Sequence, residues 1–205
     1  MSERKRTRTL DDSTFASDPG RITLSHDKLR VLRPDLYGLR GLWKSLRSVL
    51  GVGRPERVYI EEQMQHGDSR AAVVVSTCPL LIAAYTDELD CVAMLRFPDE
   101  FVHQHQLSDG TRLLTVNCYG RAPYCAPDLI FGPNYKHRWT GFHPIIAEFV
   151  TEHDRRVEAR KREIPEEEWQ RAYSMGKEYL KLRPGVARDG RPVYSSIPAA
   201  VPRGT

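Results

Sequence analysis

Long apolar runs are missing from this chain of 205 residues. The longest stretch without charge, 71–86, is too short for a membrane helix, and its Ser76, Thr77 and Pro79 favour two strands joined by a turn. The first fifteen residues carry charge where a signal peptide would need an apolar stretch. We therefore expect no transmembrane segment and a cytoplasmic location.

Cysteines and enzyme signatures are also scarce. Four scattered cysteines, Cys78, Cys91, Cys118 and Cys125, are too few for a disulfide framework, so free thiols are expected. The chain has no Gly-x-Ser-x-Gly, no Walker loop, no dinucleotide fingerprint and no paired cysteine or histidine spacing typical of zinc. The sequence leans against an enzyme without deciding the matter, and no cofactor is predicted.

Positive charge is concentrated at the front of the chain. Residues 1–57 hold 13 Lys/Arg against 7 Asp/Glu, whereas residues 58–205 hold 18 against 20. Residues 1–21 contain almost nothing apolar to bury, which predicts a mobile basic arm. Its candidate partner-binding cations are Arg4, Lys5, Arg6 and Arg8.

A basic amphipathic helix is predicted over 34–50. Its apolar face contains Leu39, Leu42, Trp43, Leu46, Val49 and Leu50. The opposite side stacks Arg40, Lys44 and Arg47 along one line. This line of cations fits phosphates or an anionic membrane surface, and the alternative is a solvated face over a packed helix.

The middle of the chain, 57–131, is predicted to be rich in strands. The candidates are "RVYIEEQMQ", "AAVVVST", "LLIAAYT", "CVAMLRF", "FVHQHQL" and "RLLTVNCY". Short gaps between them leave no room for parallel crossovers, so an antiparallel meander is expected.

Two helices are predicted over 143–182. In the first, Ile146, Phe149, Val150, His153 and Val157 share a face; in the second, Trp169, Tyr173, Gly176 and Leu180 form a stripe after Pro165. The predicted fold class is α+β: an antiparallel sheet of five or six strands covered by C-terminal helices, with an N-terminal amphipathic helix and irregular tails. Residues 22–183 form the single domain, and 184–205 form a Pro/Gly-rich tail.

Three carboxylates, Asp87, Glu88 and Asp90, separate two of the strand candidates. Asp favours turns because its side chain bonds nearby backbone amides. A catalytic carboxylate pair would need one desolvated member, which a solvent-facing loop tip does not provide. We interpret the three acids as the turn of a hairpin.

His103 and His105 are the candidate metal ligands. If "FVHQHQL" is a strand, the two imidazoles lie on one side about 7 Å apart. Two such histidines chelate zinc or another divalent ion when further ligands arrive from elsewhere. A metal-dependent hydrolase built on them is the alternative function.

The loop that begins at Tyr135 places cations among aromatic residues. Tyr135, Lys136, Arg138 and Trp139 combine charge for phosphates with rings for stacking on bases. The competing interpretation is that the aromatic residues anchor the loop beneath a following helix.

The leading functional expectation is a non-catalytic intracellular binding or adaptor protein. Its basic arm and first helix would dock on an acidic partner: a nucleic acid, a nucleoprotein or an acidic protein surface. Contact with a membrane surface through the first helix is less favoured. A structural subunit of a larger assembly is the third alternative.

Overall fold

The computed structural model describes residues 16–37, 55–120, 126–135, 139–152 and 154–192. The predicted helix 34–50 therefore lies almost wholly outside the described residues. Only its first four residues are described, and they contain a short 3-10 turn at Pro34–Leu36.

Five α-helices and seven strands make up the described chain. The helices are α1 (His26–Leu32), α2 (Glu56–His66), α3 (Glu100–Gln104), α4 (Asp154–Glu163) and α5 (Glu166–Leu182), with a second 3-10 turn at Ala147–Phe149. The strands are β1 (Asp68–Thr77), β2 (Leu80–Thr86), β3 (Cys91–Arg96), β4 (Arg112–Gly120), β5 (Ile130–Phe131), β6 (Gly141–Ile146) and β7 (Arg188–Asp189).

Six strands form an antiparallel sheet in the order β5-β3-β2-β1-β4-β6, which confirms the α+β class. The order is not the simple meander that was predicted, because β4 pairs with β1 rather than with β3. The short β7 pairs in parallel with β3 at residues 188–189, inside the segment expected to be an irregular tail.

The sheet curls so that its two edges approach each other. Arg188 of β7, beside the β3 edge, donates 2.7 Å to the carbonyl of Phe142 on β6, at the other edge. The same guanidinium forms two hydrogen bonds with Asp128, and both side chains are almost fully buried. The Arg188–Asp128 ion pair, together with the bond from Arg188 to Phe142, thus links the two edges of the curled sheet.

The strongest sequence patterns produced the expected elements. β2 and β3 coincide with two predicted strands, and the apolar run of β1 is buried on both faces over most of its length. α5 begins after Pro165 with three glutamates in its first turn and lies against β1, β2 and β3. Its Gly176 allows this close approach, because a Cβ there would lie 2.5 Å from Ala83 Cβ.

Two predicted strands are helices instead. "RVYIEEQMQ" forms most of α2, where Ile60, Gln63 and Met64 are buried at spacings of three and four. "FVHQHQL" includes all of α3 except Glu100, and the ring of Phe101 packs 5.0 Å from that of Phe149. In both segments the β-branched and aromatic residues suggested strands, and in α2 the helical spacing of the buried positions prevailed.

The C-terminal prediction was also wrong at its start. Residues 143–146 continue β6 and pair with β4, so the first helix begins only at α4. Helix α1 was not predicted, although Ser25 caps it by accepting the amide of Lys28. The last part of the predicted mobile arm is tied down, since Pro19 forms an antiparallel bridge with Asp68.

Candidate functional site

Charged side chains gather where β1 begins and β2 and β4 end. We call this the Asp68 end of the sheet; it also contains the turn 87–90 between β2 and β3. The opposite end contains the β1–β2 turn and Arg96 at the end of β3. At the Asp68 end, ionisable groups from several elements form ion pairs with one another.

Arg70 lies at the centre of this end with its side chain 10% exposed. Its Nε lies 3.0 Å from Asp68 Oδ2 and 2.7 Å from Asp87 Oδ1, and its Nη1 lies 3.0 Å from Asp18 Oδ2. Burial opposes the charge of Arg70, but the surrounding carboxylates outweigh it and raise its pKa. Arg70 therefore stays a cation and holds three separate segments together.

Glu168 brings α5 to the same place. One carboxylate oxygen accepts the backbone amide of Ala71 at 2.9 Å, and the other lies 4.0 Å from Arg70. Burial raises the pKa of Glu168. The helix is thus joined to the start of β1 by both its apolar stripe and a carboxylate.

Tyr119 connects β4 to β1 and β2. Its hydroxyl donates 3.0 Å to Asp68 and shares a 2.7 Å hydrogen bond with Thr86. Burial raises the pKa of Asp68 and of Tyr119. Groups with shifted pKa values often mark reaction centres. Here Asp68 and Thr86 are buried, and the hydrogen bonds of Tyr119 with them link β4 to β1 and β2.

The three acids of 87–90 do form the predicted turn, but not at a solvent-facing tip. Asp90, with φ of 46°, has a side chain only 2% exposed. Its oxygens accept two 2.6 Å hydrogen bonds from Arg171, one from Tyr85 and one from the amide of Asn134. Burial opposes the ionisation of Asp90, yet these donors outweigh it and hold its pKa below the usual value.

The turn therefore anchors the loop that follows β5. The Asp90 carbonyl accepts the amide of Gly132, and a Cβ on Gly132 would lie 2.4 Å from the Asp90 carboxylate. Asp87 adds the ion pair with Arg70. The acids have a structural role that a turn motif alone did not reveal.

A depression with several arginines adjoins the Asp68 end. It has a volume of about 350 Å³ and is lined by Ser17, Asp18, Pro19, Arg21, Arg156, Ala159, Arg160 and Glu163. We call it the arginine depression. Three arginines face two carboxylates there.

Two of the three arginines in the depression are uncommitted. Arg160 bonds Ser69 Oγ at 3.0 Å and pairs with Asp18 and Glu163. Arg21 and Arg156 are exposed, and neither forms an ion pair or side-chain hydrogen bond within the described residues. Sequence reasoning missed both residues, since only folding brings 17–21 beside α4.

Most predicted partner-binding residues lie outside the described residues. These are Arg4, Lys5, Arg6, Arg8, Arg40, Lys44, Arg47, Lys136 and Arg138. Tyr135 and Trp139 are described. The Trp139 ring is 7% exposed and stacks on Tyr119 at 6.0 Å, while Tyr135 donates 3.0 Å to the Trp139 carbonyl. Trp139 packs as an anchor and does not present its ring to a base.

His103 and His105 do not stand side by side on a strand. His103 is in α3 and exposed, and His105 follows the helix with its ring 4.6 Å from that of Phe149. Burial, with a smaller effect of Lys28, lowers the pKa of His105. No group of three or more His, Cys, Asp or Glu side chains that could hold a metal ion occurs among the described residues.

Cys118 pairs in register with His143 across β4 and β6. Burial raises the pKa of Cys118 to about 11, so the thiol stays protonated near neutral pH. A protonated thiol is a poor nucleophile, and this pair offers no activated cysteine. Cys78 is exposed in the β1–β2 turn.

Comparisons with family models, curated proteins and solved structures found no match to this chain. None of the helices in the described ranges is long and apolar enough to cross a membrane.

Proposed function

We propose that this protein is a non-catalytic binding protein that docks on the sugar-phosphate backbone of a nucleic acid through its basic N-terminal part. The observation that carries the proposal is that Arg21, at the end of the arm, and Arg156 line one depression and form no ion pair or side-chain hydrogen bond within the described residues. Phosphates are the complementary charge for such a surface.

The charge distribution along the chain supports this orientation. The excess of positive charge lies in residues 1–57, and Arg4, Lys5, Arg6 and Arg8 fall within eight residues of the N-terminus. Ser17 and Asp18, in the last part of the arm, line the arginine depression. Arm and depression are therefore adjacent through the covalent chain, and one acidic strand can contact both.

The burial of Trp139 bears on how the protein would contact a nucleic acid. A buried tryptophan leaves little ring surface for stacking on bases, so the proposed binding depends on phosphates rather than on base identity. Such binding is sequence-tolerant and strongly salt-dependent, because each neutralised phosphate releases counterions.

The test is fluorescence anisotropy with labelled single-stranded RNA and duplex DNA, using intact protein and a variant lacking residues 1–15. Binding should occur at roughly 50 mM salt and weaken by at least about tenfold at roughly 200 mM, because neutralising several phosphates releases counterions and added salt opposes that release. Deletion of the arm should reduce affinity further. The truncation keeps residues 16–21, whose backbone forms hydrogen bonds with Gln65, Gly67 and Ser69.

A change of partner class would be visible in the same experiment. If intact protein fails to bind either nucleic acid at low salt but binds a polyglutamate chain, the partner is an acidic protein surface and the nucleic-acid proposal is wrong. If it binds neither, electrostatic docking itself is wrong.

A further inference from the structure

Arg21 combines an unusual backbone conformation with a side chain that has no bonding partner within the described residues. Its φ is 49°, in the left-handed region that L-residues other than Asn and Asp seldom occupy. The backbone is held there because its amide donates 3.0 Å to the carbonyl of Gln65, while its neighbours bond Gly67 and Met64. Glycine would adopt this conformation more easily, yet the position holds an arginine.

The Arg21 side chain is exposed, and it makes no hydrogen bond or ion pair within the described part of the chain that would offset the energetic cost of this backbone conformation. A strained backbone that presents an unused cation points to a role outside the fold.

The charges around Arg21 leave the arginine depression ready for an anion. Asp18 is occupied by Arg70 and Arg160, and Glu163 is occupied by Arg160. Arg160, with its side chain 11% exposed, is fixed by these acids and by Ser69. The lining of the depression thus holds three arginines against two carboxylates, and Arg21 and Arg156 are the two arginines without an ion pair or side-chain hydrogen bond within the described residues.

We infer that the arginine depression is a phosphate seat, in which Arg21 and Arg156 contact one phosphodiester group of the bound nucleic acid while the arm follows the strand. This assignment rests on the proposed function and adds the residues that position the strand on the folded body. Guanidinium groups suit it because their planar donors match two phosphate oxygens.

The experiment compares Arg21→Gly, Arg156→Ala and the double variant with Arg96→Ala in the full-length protein. Arg96 is a matched control: it is exposed, makes no side-chain hydrogen bond or ion pair within the described ranges, and lies at the opposite end of the sheet. Anisotropy with labelled duplex DNA is measured across a salt series, and the melting temperature is measured for each variant.

The double variant should reduce the slope of log K against log salt by about one, because one phosphate contact is lost, and each single variant by no more than about one. Affinity for the double variant should fall roughly tenfold or more at low salt. Arg96→Ala should keep the slope of the intact protein. The melting temperature of Arg21→Gly should stay unchanged or rise, because glycine relieves the left-handed strain.

The outcomes separate the two proposals. If intact protein binds and arm deletion weakens it, but both depression variants behave like Arg96→Ala, docking stands and the phosphate seat is wrong. A large fall in the melting temperature of Arg21→Gly would show that Arg21 serves the fold and would also overturn the seat. No binding by intact protein removes docking and the seat together.

Discussion

Asp90 shows how much one carboxylate contributes when four donors converge on it. A buried charge is costly unless it is paired and hydrogen-bonded, and Arg171, Tyr85 and the Asn134 amide satisfy this requirement. These bonds link the β2–β3 turn, α5 and the loop after β5 to one another. Asp87, in the same turn, is 46% exposed and shares Arg70 with other acids.

The two acids therefore predict different mutational costs. Asp90→Asn preserves shape and tolerates the positive φ, but it removes the charge facing Arg171, so the free energy of unfolding should fall by about 2 kcal/mol. Asp87→Asn should cost less than about 1 kcal/mol, because Asp68 and Asp18 still face Arg70. Urea denaturation of both variants measures the two free energies of unfolding. Equal losses would show that Asp90 contributes no more to stability than Asp87.

At the scale of elements, the contact between α5 and the sheet decides how close the two layers lie. Gly176 sits over Val75 and Ala83, and a Cβ there would come within 2.8 Å of Val75 Cγ1 and 2.5 Å of Ala83 Cβ. Both neighbours are buried and belong to the sheet, so they have little room to move. Glycine is used here for proximity, since its φ is not positive.

Gly176→Ala tests this contact against helix propensity. Alanine gains about 1 kcal/mol over glycine in a helix interior, whereas overpacking against the sheet costs typically 1–3 kcal/mol. We expect a net loss of about 1 kcal/mol or more in the free energy of unfolding. Ser174→Ala, an exposed change on the same helix, is the control and should be neutral or slightly stabilising. A stabilised Gly176→Ala would show that the layers separate easily.

Across the whole molecule, a carboxylate joins the sheet to the helices beside it. Glu148, just after β6, accepts the Leu114 amide of β4 at 3.1 Å with each oxygen and lies 3.4 Å from Lys161 of α4. Lys28 of α1 reaches the Glu148 carbonyl. Burial, opposed by Lys161 and the backbone bonds, raises the pKa of Glu148 to about 7.

This raised pKa predicts a pH dependence of folding. The folded state holds the proton more tightly than the unfolded state, so Glu148 favours folding fully below about pH 4.5. That contribution is lost as pH rises towards 7, by up to about 3 kcal/mol. Urea denaturation from pH 4.5 to 8 should show this decline relative to Glu148→Gln, which lacks the titration. Parallel pH profiles for the two proteins would contradict the assignment.

The elements that were predicted correctly from the sequence are those that depend on contacts between neighbouring residues. The β2 and β3 patterns and the start of α5 after Pro165 are local, and these elements were predicted with nearly correct bounds. α2 was misassigned because three adjacent residues, Val58, Tyr59 and Ile60, resemble a strand until the packing of Met64 is known. Of the candidate site, only the turn acids were identified, and their burial depends on Arg171, which is remote in sequence.

The sequence by itself determined the α+β class, the antiparallel pairing of β1 to β3, and the concentration of positive charge before residue 58. Periodicity, short connections and composition suffice for these, because each depends on neighbouring residues. Only the tertiary structure decided that β4 lies beside β1, that Asp90 is buried, and that Arg21 meets Arg156 in one depression. Those features arise from contacts between distant segments, which the order of residues does not display.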